Sequence, residues 1–142
     1  QGTRVHQMAM YMVFYSPLQM LSDAPSNYTR EQECTDFIAK VPTTFDETKV
    51  VAGEEGKYIV TPRPKGNTWY VGAMTSCDGR DIEIPLSFLG DCNYKADIFA
   101  DGFNANRNAE DYKHSTQDVS KSQTLKVSLK SGGGWAARFE KL

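Results

Sequence analysis

From about Thr43 to the end of the chain, short stretches of alternating apolar and polar residues are separated by turn residues. In the clearest stretch, Arg80 to Phe88, every second side chain is apolar: Ile82, Ile84, Leu86 and Phe88. A period of two is typical of a strand that turns one face to a core and the other to water. The pattern predicts strands at Thr44–Val51, Lys57–Arg63, Thr68–Thr75, Arg80–Phe88, Tyr94–Asp101, Tyr112–Ser120, Thr124–Lys130 and Trp135–Glu140. Short strands at this spacing favour a mainly β fold, an antiparallel β-sandwich of about eight strands.

Proline and glycine limit where these strands can run. Pro85 has no N–H to donate to a ladder, so its strand should lie at an edge or carry a bulge there. Gly53 and Gly56 predict a turn between the first two strands, and the run Gly132-Gly133-Gly134 predicts a turn before the last. Gly102 to Asp111 is the one long stretch with no regular pattern.

The front of the chain predicts helices instead. Thr3 to Leu21 reads as one helix, with a kink or restart at Pro17. Its Met8–Tyr15 part is apolar or aromatic at every position, which indicates burial on several sides. That part is too short to span a bilayer, which needs about 20 residues. A second helix is expected from Thr29 to Pro42, so residues 1–42 form a helical segment and residues 43–142 the β domain.

Composition narrows the possible partners. The 142 residues carry 16 basic and 18 acidic side chains, a net charge of -2, so we expect no nucleic-acid partner. The dense basic spot Arg63-Pro64-Lys65 reads as a solvated strand face. Cys34, Cys77 and Cys92 are too few and too scattered for a disulfide scaffold or a zinc site, and we expect free thiols.

Groups for catalysis are not arranged in any recognisable motif. Adjacent carboxylates in a strand face opposite sides, so a pair such as Asp46-Glu47 cannot converge on a substrate. The chain has two histidines, His6 and His114, and no nucleophile elbow or zinc-binding HExxH motif. We therefore expect no catalytic residue and no bound cofactor or metal in this chain.

The irregular stretch after Asp101 carries the best candidates for ligand contact. Asn104, Asn106 and Asn108 alternate there, as oxygen ligands do in a calcium loop. The required glycine and glutamate of that loop are missing, however, and asparagines more often serve turns. Together with the aromatic residues of the strands, this stretch could instead form a sugar-binding surface, which makes Asp101, Asn104 and Asn106 weak candidates for sugar contact.

Motifs along nearly the whole chain resemble, in order, the carboxy-terminal part of glycoside hydrolase family 97. They are Thr3-Arg4-Val5-His6-Gln7, Tyr15-Ser16-Pro17-Leu18-Gln19-Met20-Leu21, Val41-Pro42-Thr43-Thr44-Phe45-Asp46-Glu47-Thr48, Trp69-Tyr70-Val71-Gly72-Ala73-Met74-Thr75, Pro85-Leu86-Ser87-Phe88-Leu89-Gly90, Asp101-Gly102 and Gly132-Gly133-Gly134-Trp135-Ala136-Ala137. No single motif is diagnostic, but the ordered set is specific.

The resemblance implies a parent with an amino-terminal β-sandwich, a catalytic (β/α)8 barrel and a carboxy-terminal β-sandwich. The helices of residues 1–42 would be left over from that barrel. The catalytic glutamates and the calcium ligands of the family would lie upstream of residue 1. Barrel active sites lie at the carboxy-terminal ends of the strands, so Thr3, Arg4, His6 and Gln7 would lie nearest to the site of the parent. The family also implies a periplasmic or secreted α-glucosidase or α-galactosidase.

Three functions stay open on the sequence. The first is a non-catalytic accessory domain that contacts the catalytic barrel of a family 97 hydrolase and mediates oligomerisation. The second is a carbohydrate-binding module that uses the stretch from Asp101 to Asp111. The third is a protein-interaction domain in which the apolar first helix associates with a second copy of the chain.

Overall fold

The structure is a computed structural model that describes residues 3–13, 36–37, 39–42, 52–54, 57–76, 78–102 and 112–142. Within them lie one helix, α1 (Arg4–Val13), and eight strands. The strands are β1 (Ala52–Glu54), β2 (Tyr58–Lys65), β3 (Thr68–Thr75), β4 (Arg80–Pro85), β5 (Tyr94–Asp101), β6 (Tyr112–Val119), β7 (Thr124–Leu129) and β8 (Gly134–Lys141). Residues 36–37 and 39–40 are also helical.

The strands form two antiparallel sheets. The larger has six strands in the order β1-β2-β3-β8-β5-β6, and the smaller pairs β4 with β7. The two sheets share one apolar core, which confirms the predicted antiparallel β-sandwich. The strand that comes last in the sequence, β8, lies between β3 and β5 in the middle of the larger sheet.

Most strand predictions are confirmed within a few residues, because alternation follows burial closely. β4 pairs with β7 alone in the described chain, and Pro85 ends it opposite Thr124, as the edge prediction required. The turn predicted at Gly53 is wrong, because Ala52–Glu54 forms β1 against Tyr58–Val60. Three residues are too few to show a period, so the glycine was the stronger local signal.

Several predictions fall outside the described residues. They are the strand Thr44–Val51, the restart at Pro17, most of the second helix, and two of the three cysteines, Cys34 and Cys77. Cys92 is a half-buried free thiol. No helix in the described ranges has the length and apolar character of a membrane span.

The six-stranded sheet is covered on both sides. Its sandwich face, which includes Val71, Ala96 and Phe139, packs against the smaller sheet through Ile84 and Leu129. Opposite residues in an antiparallel ladder share a face, so the alternate positions point the other way. This helix face includes Tyr70, Phe99 and Ala136, and it packs against Val5 and Met8 of α1.

Two burial results bear on the sequence analysis. Met8 and Ala9 are buried, as the apolar run predicted, and Met10 is the exposed large apolar side chain of the described helix at 38%. Arg63 is only 2% exposed, not solvated as predicted. Both faces of β2 are covered from Val60 to Pro64. Thr61 and Arg63 are therefore buried on the helix face.

Candidate functional site

The first predicted candidate, Thr3, caps the start of α1. Its Oγ1 accepts a hydrogen bond of 3.1 Å from the backbone N–H of His6, three residues later. Threonine at this position satisfies one of the N–H groups that a helix leaves without an internal partner. Thr3 is 2% exposed, so the cap is buried and water cannot replace it.

The second candidate, Asp101, ends β5 directly beside this cap. Its Oδ1 accepts a 2.7 Å hydrogen bond from the Thr3 hydroxyl. Its Oδ2 accepts backbone N–H bonds from Lys130 at 3.0 Å and Gly134 at 3.1 Å. One carboxyl therefore joins the start of α1, the end of β5 and the β7–β8 turn, and we call this contact the Asp101 junction.

Glycines in the β7–β8 turn let these segments meet. Gly132 has a φ of 62°, a conformation that glycine adopts without a steric cost. A Cβ on Gly133 would overlap Oδ2 of Asp101 and lie 2.5 Å from the carbonyl oxygen of Lys130. A Cβ on Gly134 would lie 2.5 Å from the backbone nitrogen of His6. Gly134 therefore lets the helix approach the sheet this closely, and Gly133 leaves room for the Asp101 carboxyl.

Two carbonyls of the same turn bind the helix start. The carbonyl of Gly132 accepts the backbone N–H of Thr3 at 3.0 Å. The carbonyl of Gly133 lies 3.0 Å from Nδ1 of His6. Because a carbonyl only accepts, Nδ1 must carry the proton in this contact. His6 therefore fixes the turn as well as belonging to the helix.

Burial dominates the electrostatics of the junction. Asp101 is 6% exposed, and desolvation raises the pKa of its carboxyl. The hydrogen bonds from Thr3, Lys130 and Gly134 and the nearby charge of His6 lower that pKa and offset part of the effect. The junction thus holds a carboxyl that is easier to protonate than one in water.

The arrangement positions a helix and has no geometry for nucleophilic catalysis. In a triad, a histidine ring accepts the hydroxyl proton of the nucleophile, and the carboxylate lies behind the ring. Here the Thr3 hydroxyl donates straight to Asp101, and its oxygen meets the His6 backbone rather than the ring. The His6 ring is turned to a carbonyl through Nδ1.

The remaining candidates are less fully described. Arg4 is half-buried on α1, and the Gln7 side chain, Asn104 and Asn106 lie outside what the structure describes. His114 belongs to a separate contact, in which its Nε2 pairs with Asp97 and its ring stacks on Phe99 with centroids 4.2 Å apart. Over the described ranges, no three His, Cys, Asp or Glu side chains form a potential metal site.

Sequence reasoning selected Thr3, His6 and Asp101 but not their connection. It treated the first two as barrel-rim residues and the third as part of a sugar loop, although Thr3 and Asp101 bind each other across 98 positions. It missed Gly133 and Gly134, whose backbones complete the junction. The run Gly132-Gly133-Gly134 was the available signal. A turn alone does not require three glycines, so the run indicated a close approach of other backbone.

Comparison with known proteins identifies the family of the chain. Residues 44–140 match the family described as "Glycosyl-hydrolase 97 C-terminal, oligomerisation". The chain belongs to this family. The resemblance stated from the ordered motifs is therefore confirmed.

Two curated relatives and a solved structure match almost the whole chain. A retaining alpha-galactosidase of Bacteroides thetaiotaomicron is 52% identical over 140 residues, 99% of this chain and 21% of that protein. A probable retaining alpha-galactosidase of Streptomyces bingchenggensis is 25% identical over 131 residues, 92% of this chain and 20% of that protein. A glycoside hydrolase family 97 enzyme from Pseudoalteromonas sp. strain K8, solved with acarbose, superposes with a TM-score of 0.96 at 37% identity, covering 99% of this chain and 23% of that one.

The chain spans about one fifth of the length of the curated relatives that it matches, 21% and 20%. It corresponds to the C-terminal domain of larger family 97 enzymes.

Proposed function

We propose that this chain is the non-catalytic, oligomerising C-terminal domain of a hydrolase that acts on α-galactosides. The observation that carries the proposal is the match of residues 44–140 to the family 97 C-terminal oligomerisation domain. The proposed substrate class is supported by the 52% identity to a retaining alpha-galactosidase over 99% of the chain. Hydrolysis of α-glucosides is the alternative substrate class.

The Asp101 junction supports a structural role toward the rest of the enzyme. It fixes the start of α1 on the C-terminal sheet through a buried carboxyl and two carbonyls. A helix held this way would keep the preceding catalytic barrel in a defined position on the sandwich. The calcium ion of the parent and its periplasmic or secreted location belong to the same proposal and rest on the family resemblance.

The sugar-binding alternative receives no support from the described residues. Of the stretch from Asp101 to Asp111, the described part is Asp101 and Gly102, and the Asp101 carboxyl is engaged by α1 and the β7–β8 turn. Two aromatic rings near the surface are also partly covered. Arg80 lies over the ring of Tyr58 at 5.1 Å, and Trp69 packs on Phe88 with centroids 5.0 Å apart.

The sequence analysis also considered association of two copies through α1. Such a contact would use the apolar side chains of α1 that are not buried against the six-stranded sheet. Val5, Met8 and Ala9 are buried within the chain, and Met10 is the exposed large apolar side chain of the described helix. Of these four positions, Met10 alone offers apolar surface to a second copy of the chain.

An activity assay tests the non-catalytic assignment. The purified 142-residue chain should not hydrolyse p-nitrophenyl α-galactoside or p-nitrophenyl α-glucoside. Hydrolysis that disappears in variants of its own acids, such as Asp101→Asn, would overturn the assignment.

Two further measurements test the rest of the proposal. The coding sequence upstream of Gln1 should encode a catalytic barrel, and its absence would refute the parent enzyme. Sedimentation velocity over a concentration series should show reversible self-association, and a monomer at every concentration would refute the oligomerising role.

A further inference from the structure

The two edges of the six-stranded sheet differ in the residues that the structure describes. On the β1 side, Ala52–Glu54 pairs with Tyr58, Ile59 and Val60 of the eight-residue β2. The rest of β2 contains Pro62 and Pro64. Alternate residues of a strand point their N–H groups to the same side, so these two prolines leave one side of β2 without two donors. Proline is tolerated in a sheet where that side faces away from a ladder.

The opposite edge of the described sheet is the long, regular strand β6. It has eight residues, contains no proline, and pairs with β5 without a bulge from Tyr94–Val119 to Asp101–Tyr112. Among the described residues, β5 is its one neighbouring strand. Side chains 113–118 are exposed on both faces of the sheet. A long, regular, two-sided edge is a template for pairing with another strand.

We propose that β6 pairs antiparallel with β6 of a second copy of this chain, so that the two large sheets become continuous across a two-fold axis. This inference rests on the oligomerising function proposed above and names its surface. A self-complementary strand suits such a contact, because in a two-fold interface each residue meets the same set of partners from the other copy. Main-chain hydrogen bonds supply affinity, and side-chain pairs fix the register.

The faces of the sheet restrict the register. In a continuous antiparallel sheet, opposite residues lie on the same face. His114, Thr116 and Asp118 lie on the helix face, because their β5 partners are Phe99, Asp97 and Lys95. The two central registers that keep the faces aligned place either Ser115 or Thr116 opposite itself.

Side-chain pairing favours the register centred on Thr116. In it, His114 of each copy lies opposite Asp118 of the other, and Ser115 lies opposite Gln117. His114 also contacts Asp97 of its own chain, so the imidazole would lie between two carboxylates. The register centred on Ser115 places His114 opposite Thr116 and pairs no imidazole with a carboxylate.

Disulfide trapping tests the contact and the register together. Opposite residues in an antiparallel ladder have Cβ atoms about 4.5–5.5 Å apart, close to the spacing that a disulfide spans. Thr116→Cys should give a reducible covalent dimer under mild oxidation. The unmodified chain controls for its native cysteines, and Ser128→Cys, at an exposed position on the small sheet, should give none.

Thr116→Lys provides the equilibrium test. Like charges directly opposite each other destabilise a strand pair, and lysine is a natural blocker of sheet edges. The dissociation constant from sedimentation velocity should rise roughly fivefold or more, while Ser128→Lys leaves it unchanged. Unchanged circular dichroism and melting of both variants show that the fold is retained.

The outcomes separate this inference from the proposed function. If the unmodified chain associates but Thr116→Cys fails to cross-link and Thr116→Lys fails to weaken it, the β6 contact is wrong and the oligomerising function stands. If the unmodified chain is a monomer at every concentration, both are wrong.

Discussion

The two faces of the six-stranded sheet are held by different kinds of contact. The sandwich face is a broad apolar core that includes Val71, Ile84 and Phe139, all fully buried. The helix face has a smaller apolar cluster, and it adds the Asp101 junction and the close approach of α1 over Gly134. Apolar packing tolerates many sequences of similar volume, whereas the junction depends on individual atoms. Changes on the first face should therefore act on the whole domain, and changes on the second mainly on α1.

The largest effect is expected on the sandwich face. Phe139 is 0% exposed and packs near Phe88 and Trp135, with ring centroids 6.0 and 6.5 Å away. Phe139→Ala removes that packing and leaves a cavity, so the free energy of unfolding should fall by about 3–5 kcal/mol in urea titrations. Phe139→Leu, which keeps more of the volume, should cost much less. Equal losses in the two variants would show that the site does not depend on packing volume.

On the helix face, Gly134→Ala should be a damaging small change. The added methyl would lie 2.5 Å from the nitrogen of His6 and 2.8 Å from the carbonyl carbon of Val5, both backbone atoms. Moving α1 away should cost about 3 kcal/mol, and hydrogen exchange should speed up in α1 before the central strands. Gly66→Ala is the control, since its φ of 64° brings strain but nothing lies within 4 Å. If Gly66→Ala also released α1, the close approach would not be what holds the helix.

Removing the carboxyl should have a smaller and more local effect. Asp101→Ala leaves the Thr3 hydroxyl and the N–H groups of Lys130 and Gly134 without their acceptor, at a cost of about 2 kcal/mol. Asp101→Asn should cost less, because its amide oxygen can accept both N–H groups and its amide nitrogen can donate to Thr3. Limited proteolysis of α1 reports the difference, and an asparagine variant as labile as alanine would contradict this account.

The smallest effect is a dependence on pH. Burial raises the pKa of Asp101, so folding favours its protonated form. The resulting stability is present below the unfolded pKa of about 3.9 and is lost as the pH rises through the folded pKa. The stability of the unmodified chain relative to Asp101→Asn should therefore increase from about pH 7 to about pH 4. A decrease would show that the hydrogen bonds to the carboxylate outweigh its burial.

Sequence reasoning succeeded where the cause of a structure is local. The alternation of Ile82 and Ile84 with charged residues placed β4, because each side chain reports its own burial. Pro85 placed that strand at an edge for an equally local reason, the missing N–H. β1 was missed, since Ala52–Glu54 has no period and its pairing comes from the neighbouring β2.

The site depended on distant contacts that no local pattern encodes. Thr3 and Asp101 are 98 positions apart, and nothing in their surroundings along the chain requires that they meet. Arg63 was misread for a similar reason, because its burial follows from what covers β2 and not from its basic neighbours. Asn104 and Asn106 stay predictions.

The central place of β8 has a consequence for the order in which the molecule is assembled. Every other strand of the larger sheet is synthesised before β8, yet in the described sheet β3 and β5 join only through β8. On the ribosome, the two halves of that sheet must wait, with their inner edges unpaired, until β8 emerges. A nascent chain truncated just before β8 would therefore expose two unpaired inner edges, which are templates for pairing with other chains.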